Sequence, residues 1–353
     1  MFAHSTLLSL VASAVAVAAA PSLLLQVSGP TTVQDVHNFT VVTTVTNTGD
    51  ETLKLLNDPQ SLLTKSPTNI FDITNSYGGS PEFIGIKAAY SPSLVIERGS
   101  PESFTVLAPG ASVQIEHDLS KAYNFTLSGS GQYSVTVKEY SLQYVDPNAE
   151  EPVQLQLEAE KTVHTTSLSG VLVRPPQINV GLSPNAFSGC SAVQQSAINN
   201  VSPTAQRYIA NALDDLQRDT GGTSAQYRLW FGAPDVGRRN TVLSHFTNMN
   251  TNNFATYTWI CDVSAICDVN TIAFVYPDQF GMVHLCNLFF LLPIAGRDSQ
   301  PATIVHEASH FTRNGGTLDV AYGVIPCQQL ATNSPAQAIV NAANHQYYAA
   351  DSA

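Results

Sequence analysis

The sequence has 353 residues, enough for two domains. Hydrophobic residues make up 44% and charged residues only 12%, and the formal net charge is −12. Such a chain can bury a sizeable core. It carries no basic patch to neutralise phosphate, which excludes a nucleic-acid partner and an anionic membrane surface.

Residues 5–20 form an apolar run of Leu, Val and Ala that ends in Ala18-Ala19-Ala20 before Pro21. This predicts a secretory signal over 1–20 and an extracellular product. No later segment is long and apolar enough to span a bilayer. From 23 to 173 the chain reads as β. Runs such as Phe39-Thr40-Val41-Val42-Thr43-Thr44-Val45 and Tyr133-Ser134-Val135-Thr136-Val137 alternate or are β-branched. Asn47-Thr48-Gly49-Asp50 and Ala108-Pro109-Gly110 supply turns between them. The pattern predicts an all-β, sandwich-like domain. The Pro-rich pieces Arg174-Pro175-Pro176 and Leu182-Ser183-Pro184 then read as a linker.

Beyond the linker the period changes. Helices are predicted over 191–200 and 204–218, separated by Pro203, and over 241–247. Short strands follow at 257–260, 272–276 and 282–285, then helices over 300–313 and 335–349. This half is α+β, helix-dominated with a small sheet. All five cysteines lie in it: Cys190, Cys261, Cys267, Cys286 and Cys327. In an oxidising compartment they make two disulfides and leave one thiol, with the pairing open. Asn38, Asn124 and Asn200 head glycosylation sequons.

The second half contains no Lys, and its only Glu is Glu307, inside His306-Glu307-Ala308-Ser309-His310. On a helix the two histidines lie one turn apart on one face, so they can share an ion. Glu307 follows the first histidine directly and can take a proton from water on that ion. Ser299 and Pro301 suit the start of this helix and Gly315-Gly316 its end. A catalytic zinc keeps three protein ligands and an open position. No Glu follows Glu307, so the third ligand comes from Asp319, His345 or Asp351. Asp319 is favoured because the Gly-Gly turn folds the chain back towards the helix. Tyr322 either donates to a developing oxyanion or is a core tyrosine.

Together these residues resemble the deuterolysin (aspzincin) family of fungal zinc metallopeptidases, especially the mushroom peptidyl-Lys metalloendopeptidases. The likeness rests on the HExxH run followed by Gly316-Thr317-Leu318-Asp319-Val320-Ala321-Tyr322-Gly323. It extends through Trp230-Phe231-Gly232 and Phe274-Val275-Tyr276-Pro277 and covers 186–353. The resemblance implies a zincin-like peptidase domain over 186–353 and a β-rich propeptide over 21–185 that acts as an intramolecular inhibitor. It implies that His306, His310 and Asp319 bind one Zn2+, that Glu307 is the general base, and that Tyr322 stabilises the transition state. It further implies disulfides Cys190–Cys261 and Cys267–Cys286, with Cys327 free, and protein or peptide substrates cut by a monomer. In the lysine-directed members, an Asp and a Glu on the last helix line the pocket for the residue after the cleaved bond. Ala343 and Gln346 stand at those positions here, so a preference for Lys is expected to be weak. The propeptide has no Cys, so blocking must be steric or use a carboxylate or a histidine such as His117 or His164. Two other readings are a catalytically silent secreted binding protein with a peptidase-like tail, and a structural zinc protein. The retained Glu307 and a three-ligand set argue against both.

Overall fold

The computed structural model describes residues 21–138, 141–146, 153–156, 163–174 and 186–353. The apolar run at 1–20 and most of the expected linker, 175–185, lie outside them. Among the described residues no helix is long and apolar enough to cross a membrane.

The first half is built from strands, as its alternation predicts. Leu23–Ser28, Thr40–Asn47 and Ser112–Asp118 form one antiparallel sheet. A second sheet runs Thr32–Gln34, His164–Ser169, Gly131–Val137, Phe71–Asn75. In Thr40–Asn47 every second residue is buried, which turns Val41, Thr43 and Val45 inward. Leu25, Val41 and Val45 from the first sheet share one core with Ile73, Tyr133 and Val135 from the second. Each such side chain contributes roughly 1.5–3 kcal/mol through its burial. The predicted turn at 47–50 is locked by Asn47. Its Oδ1 accepts from the Gly49 N–H at 3.0 Å, and its Nδ2 donates to the Glu51 and Leu107 carbonyls. A helix over Pro92–Arg98, capped by Ser91 and ended by Gly99 in the left-handed region (φ 61°), interrupts the β pattern. Of the sequon asparagines, Asn38 and Asn200 are exposed and Asn124 is half-buried.

In the second half, helices surround a five-stranded sheet. Residues 192–218 form one helix, Ala192–Arg218, rather than the two expected. Pro203 removes one backbone bond, but it lies on the solvent side, where water can satisfy the freed carbonyl. Helices Ala225–Phe231 and Val324–Asn333 carry too few periodic positions to have been read from sequence. The expected helix over 335–349 is split into Pro335–Ala338 and Ala342–Asp351. The break occurs because Leu318 pairs there: its N–H donates to the Val340 carbonyl at 2.7 Å and its carbonyl accepts from the Ala342 N–H at 2.9 Å.

The sheet order is Phe187–Ser188, Thr258–Cys261, Met282–Leu285, Ala273–Val275, Lys87–Ala89. The last strand belongs to the first half of the sequence. It pairs antiparallel with Ala273–Val275, with Ala89 opposite Ala273, Ala88 opposite Phe274 and Lys87 opposite Val275. A division at 185/186 therefore does not divide the sheets. Gly85 permits the approach, because a Cβ there would lie 2.0 Å from the Pro67 carbonyl oxygen. Disulfides join Cys190 to Cys261 and Cys267 to Cys286, and the Cys327 thiol is free and buried.

Candidate active site

The site is organised by the helix Gln300–His310. Ser299 caps its start by accepting from the Ala302 N–H, and Pro301 occupies the first turn, where no N–H is needed. Every residue of this helix is buried. It stops at His310, not at 313, because Phe311 turns extended and its carbonyl collects the N–H groups of Asn314, Gly315 and Gly316. Gly316 then takes a left-handed conformation (φ 58°) and reverses the chain. Asn341 clamps the returning segment. Its Oδ1 accepts from the Val320 and Ala321 N–H groups at 2.8 and 3.2 Å, and its Nδ2 donates to the Ala321 carbonyl.

The reversal brings Asp319 against both histidines. Its Oδ1 lies 3.0 Å from His306 Nε2 and 3.2 Å from His310 Nε2. One donor atom from each of the three residues falls within 4.8 Å of the others. Tetrahedral ligation at about 2.0 Å puts neighbouring donor atoms about 3.3 Å apart, so the spacing suits a small cation such as zinc. The donor set suits one as well, being two imidazoles and a carboxylate. Nδ1–H of His306 donates to Gln346 Oε1 at 2.9 Å, and Nδ1–H of His310 donates to the Thr317 carbonyl at 2.9 Å. Both rings thus turn Nε2 to the common centre. Burial lowers the His310 imidazole to about 4, against the pull of Asp319, which keeps it neutral. Burial alone would raise the Asp319 carboxyl, but His310 and His306 in their protonated forms would outweigh it and hold it well below the usual carboxylate range. Glu307 lies on the same turn. Its Oε1 accepts from the Ala89 N–H at 2.9 Å, while its Oε2 has no hydrogen-bond partner among the described residues. Burial and the neighbouring Asp319 push this carboxyl well above its ordinary value.

A family model described as lysine-specific metallo-endopeptidase (aspzincin) matches residues 216–350. The peptidyl-Lys metalloendopeptidase of Grifola frondosa is 47% identical over 344 residues, covering 98% of this chain and 97% of the relative. That of Armillaria mellea is 42% identical over 344 residues, covering 97% and 95%. This chain belongs to the aspzincin family of zinc metallopeptidases. It is a metalloendopeptidase. A solved zinc peptidase from Grifola frondosa is 44% identical and covers 46% of this chain and 97% of its own, with a TM-score of 0.44.

The other candidates for an aspzincin third ligand are engaged elsewhere. His345 stacks on His245, with its Nε2 3.0 Å from that ring's Nδ1, and its own Nδ1 donates to the Asn341 carbonyl. Asp351 accepts from Arg297 and from the Trp230 indole. Tyr322 is both a packed tyrosine and a polar one: its ring meets Tyr90 edge-on, and its hydroxyl donates to the Ala88 carbonyl at 2.7 Å. Ala343 packs in the apolar core. Gln346 is committed on both sides, to His306 and, through its Nε2, to the Arg297 carbonyl at 2.8 Å. Of the two residues expected to face a substrate pocket, Gln346 therefore sits behind His306 and Ala343 lies in the core.

His117 and His164 are not at the site. His117 pairs with the Thr43 hydroxyl inside the first half, and His164 with the Pro30 carbonyl. The first half reaches the site instead with groups that sequence reasoning missed. The Ala88 N–H and the Gln60 side-chain amide both donate to Asp319 Oδ2, at 3.0 and 3.2 Å. Lys87 Nζ donates to the Gly316 and Thr317 carbonyls at 3.1 and 2.5 Å. No local signal marks these residues, because Lys87–Ala89 is too short to show a period and Gln60 lies in a turn.

Proposed function

We propose that this chain is the precursor of a secreted endopeptidase in which His306, His310 and Asp319 hold one Zn2+ and residues 21–185 are an inhibitory prosegment. The reading rests chiefly on the two imidazole nitrogens facing one carboxylate oxygen, at 3.0 and 3.2 Å, each ring fixed from behind by Gln346 or Thr317. Zinc there supplies Lewis acidity that polarises a peptide carbonyl and makes water more acidic. Glu307 takes the proton from the attacking water and returns it to the departing amine nitrogen. Tyr322 donates to the carbonyl oxygen as negative charge develops on it.

The curated relatives are named peptidyl-Lys enzymes. An ammonium entering a partly dehydrated pocket needs an anion nearby. The anion expected from the last helix is absent, but Ala343 packs in the apolar core and Gln346 is held by His306 and the Arg297 carbonyl, so these two positions decide nothing about Lys after the cleaved bond. Glu307→Gln tests the scheme. After limited proteolysis of the zinc-loaded full chain between its halves, the variant should retain one zinc by metal analysis and lose at least about 10³-fold in kcat. Undiminished turnover would overturn it. The prosegment reading predicts that the uncut chain keeps only a small residual activity and that cutting raises it.

A further inference from the structure

We infer that strand Lys87–Ala89 lies in the substrate groove in the direction of a substrate, and that Lys87 fills a subsite for a basic side chain two residues before the cleaved bond. The inference rests on the peptidase and prosegment readings above and extends them to sequence preference.

Three contacts fix the register. The Ala88 carbonyl accepts from the Tyr322 hydroxyl at 2.7 Å, and the Ala89 N–H donates to Glu307 Oε1 at 2.9 Å. The Ala88 N–H donates to Asp319 Oδ2 at 3.0 Å. The Ala88–Ala89 amide therefore presents its oxygen to the oxyanion donor and its nitrogen to the carboxylate that must protonate a leaving amine. Hydrolysis there would break that C–N bond, placing a hydroxyl on the Ala88 carbonyl carbon and a proton on the Ala89 nitrogen. Antiparallel pairing with Ala273–Val275 sets the direction.

With the bond aligned, the alternation of a strand assigns the side chains. Ile86 and Ala88 point to one side, where they pack with Phe274 and the Cys286 sulfur. Lys87 points to the other and is only 7% exposed. Its ammonium meets the two carbonyls that follow the Gly315-Gly316 turn. The Thr317 carbonyl also accepts from His310 Nδ1–H. Burial lowers the Lys87 ammonium to about 8, against the carboxylates of Asp319 and Asp278, which add negative potential around it. An ammonium suits such a place, whereas an apolar side chain leaves the Gly316 carbonyl without a donor there.

The test uses the zinc-loaded full chain, opened by limited proteolysis between its halves, and the nonapeptide of residues 84–92, Ile-Gly-Ile-Lys-Ala-Ala-Tyr-Ser-Pro. Mass spectrometry should find the cut between the two alanines. Replacing the lysine by norleucine should lower kcat/KM at least about tenfold. In the uncut chain, Lys87→Met should raise residual peptidase activity by a similar factor, and after cutting its prosegment should dissociate faster. A cut between Ile and Lys, or equal kcat/KM for lysine and norleucine, overturns the inference while leaving the peptidase reading intact. Absence of any peptide cleavage by the opened parent chain overturns both. Should Lys87→Met fail to fold, the peptide pair alone decides.

Discussion

The side-chain carbonyl of Gln346 accepts from His306 Nδ1–H at 2.9 Å, across 40 positions of sequence. That bond selects the tautomer with a lone pair on Nε2 and aims the ring. Groups holding a metal-bound histidine from behind typically affect metal affinity by about 10–100-fold. Gln346→Ala should therefore weaken zinc binding by a factor in that range, measured by competition with a chromogenic chelator. Unaltered affinity would show that His306 is oriented by packing alone.

Tyr322 donates to the Ala88 carbonyl at 2.7 Å, and the proposed mechanism gives it the same role towards a substrate carbonyl. Tyr322→Phe should lower kcat by about 10²–10³-fold with KM and zinc content nearly unchanged. A fall in zinc content would instead mean that the phenol supports the metal site through packing.

Asn341 holds the turn that delivers Asp319. Its Oδ1 serves one buried N–H, of Ala321, and one partly buried N–H, of Val320, and the side chain is fully buried. Asn341→Ala leaves those donors without their acceptor, at a cost of roughly 1–3 kcal/mol. The expected result is a lower melting temperature together with weaker zinc binding. Loss of stability with unchanged zinc affinity would separate the turn from the metal site.

His117 links the stability of the first half to pH. Burial, then the charge of Lys65, lowers its pKa from 6.5 to about 4. The folded state keeps the ring neutral, so below pH 6.5 the unfolded chain takes up a proton that the fold refuses. Stability is intact above about pH 6.5, falls as pH drops towards 4, and then levels off. The full effect is at most roughly 3 kcal/mol. Urea unfolding of the full chain at several pH values should show this slope, and His117→Gln should flatten it. An identical slope in the variant would assign the acid sensitivity to carboxylates.

Much of the site was legible because its parts are local. Two histidines four apart declare a helix face, and Gly315-Gly316 declares its end. The scarcity of glutamate excluded a Glu ligand, and the Gly-Gly turn made Asp319 the favoured partner over His345 and Asp351. The β character of the first half followed from alternation in stretches such as 40–47. What stayed hidden depends on distant segments meeting. Gln346 reads as a pocket residue until its helix is packed behind His306. Asn341 looks like a helix interior until Leu318 is seen to pair beside it. Lys87, Ala88 and Gln60 carry no pattern at all, since their roles exist only once the first half has settled against the second.

The Cys267–Cys286 bond brackets Ala273–Val275 and its neighbour Met282–Leu285 within a span of 19 residues. Neither half-cystine belongs to the helix that carries His306 and His310. A thiol reagent that opens this bond should therefore slacken the rail on which peptides are threaded while sparing the ion, leaving a protein that is fully metallated yet a poor cutter of long chains.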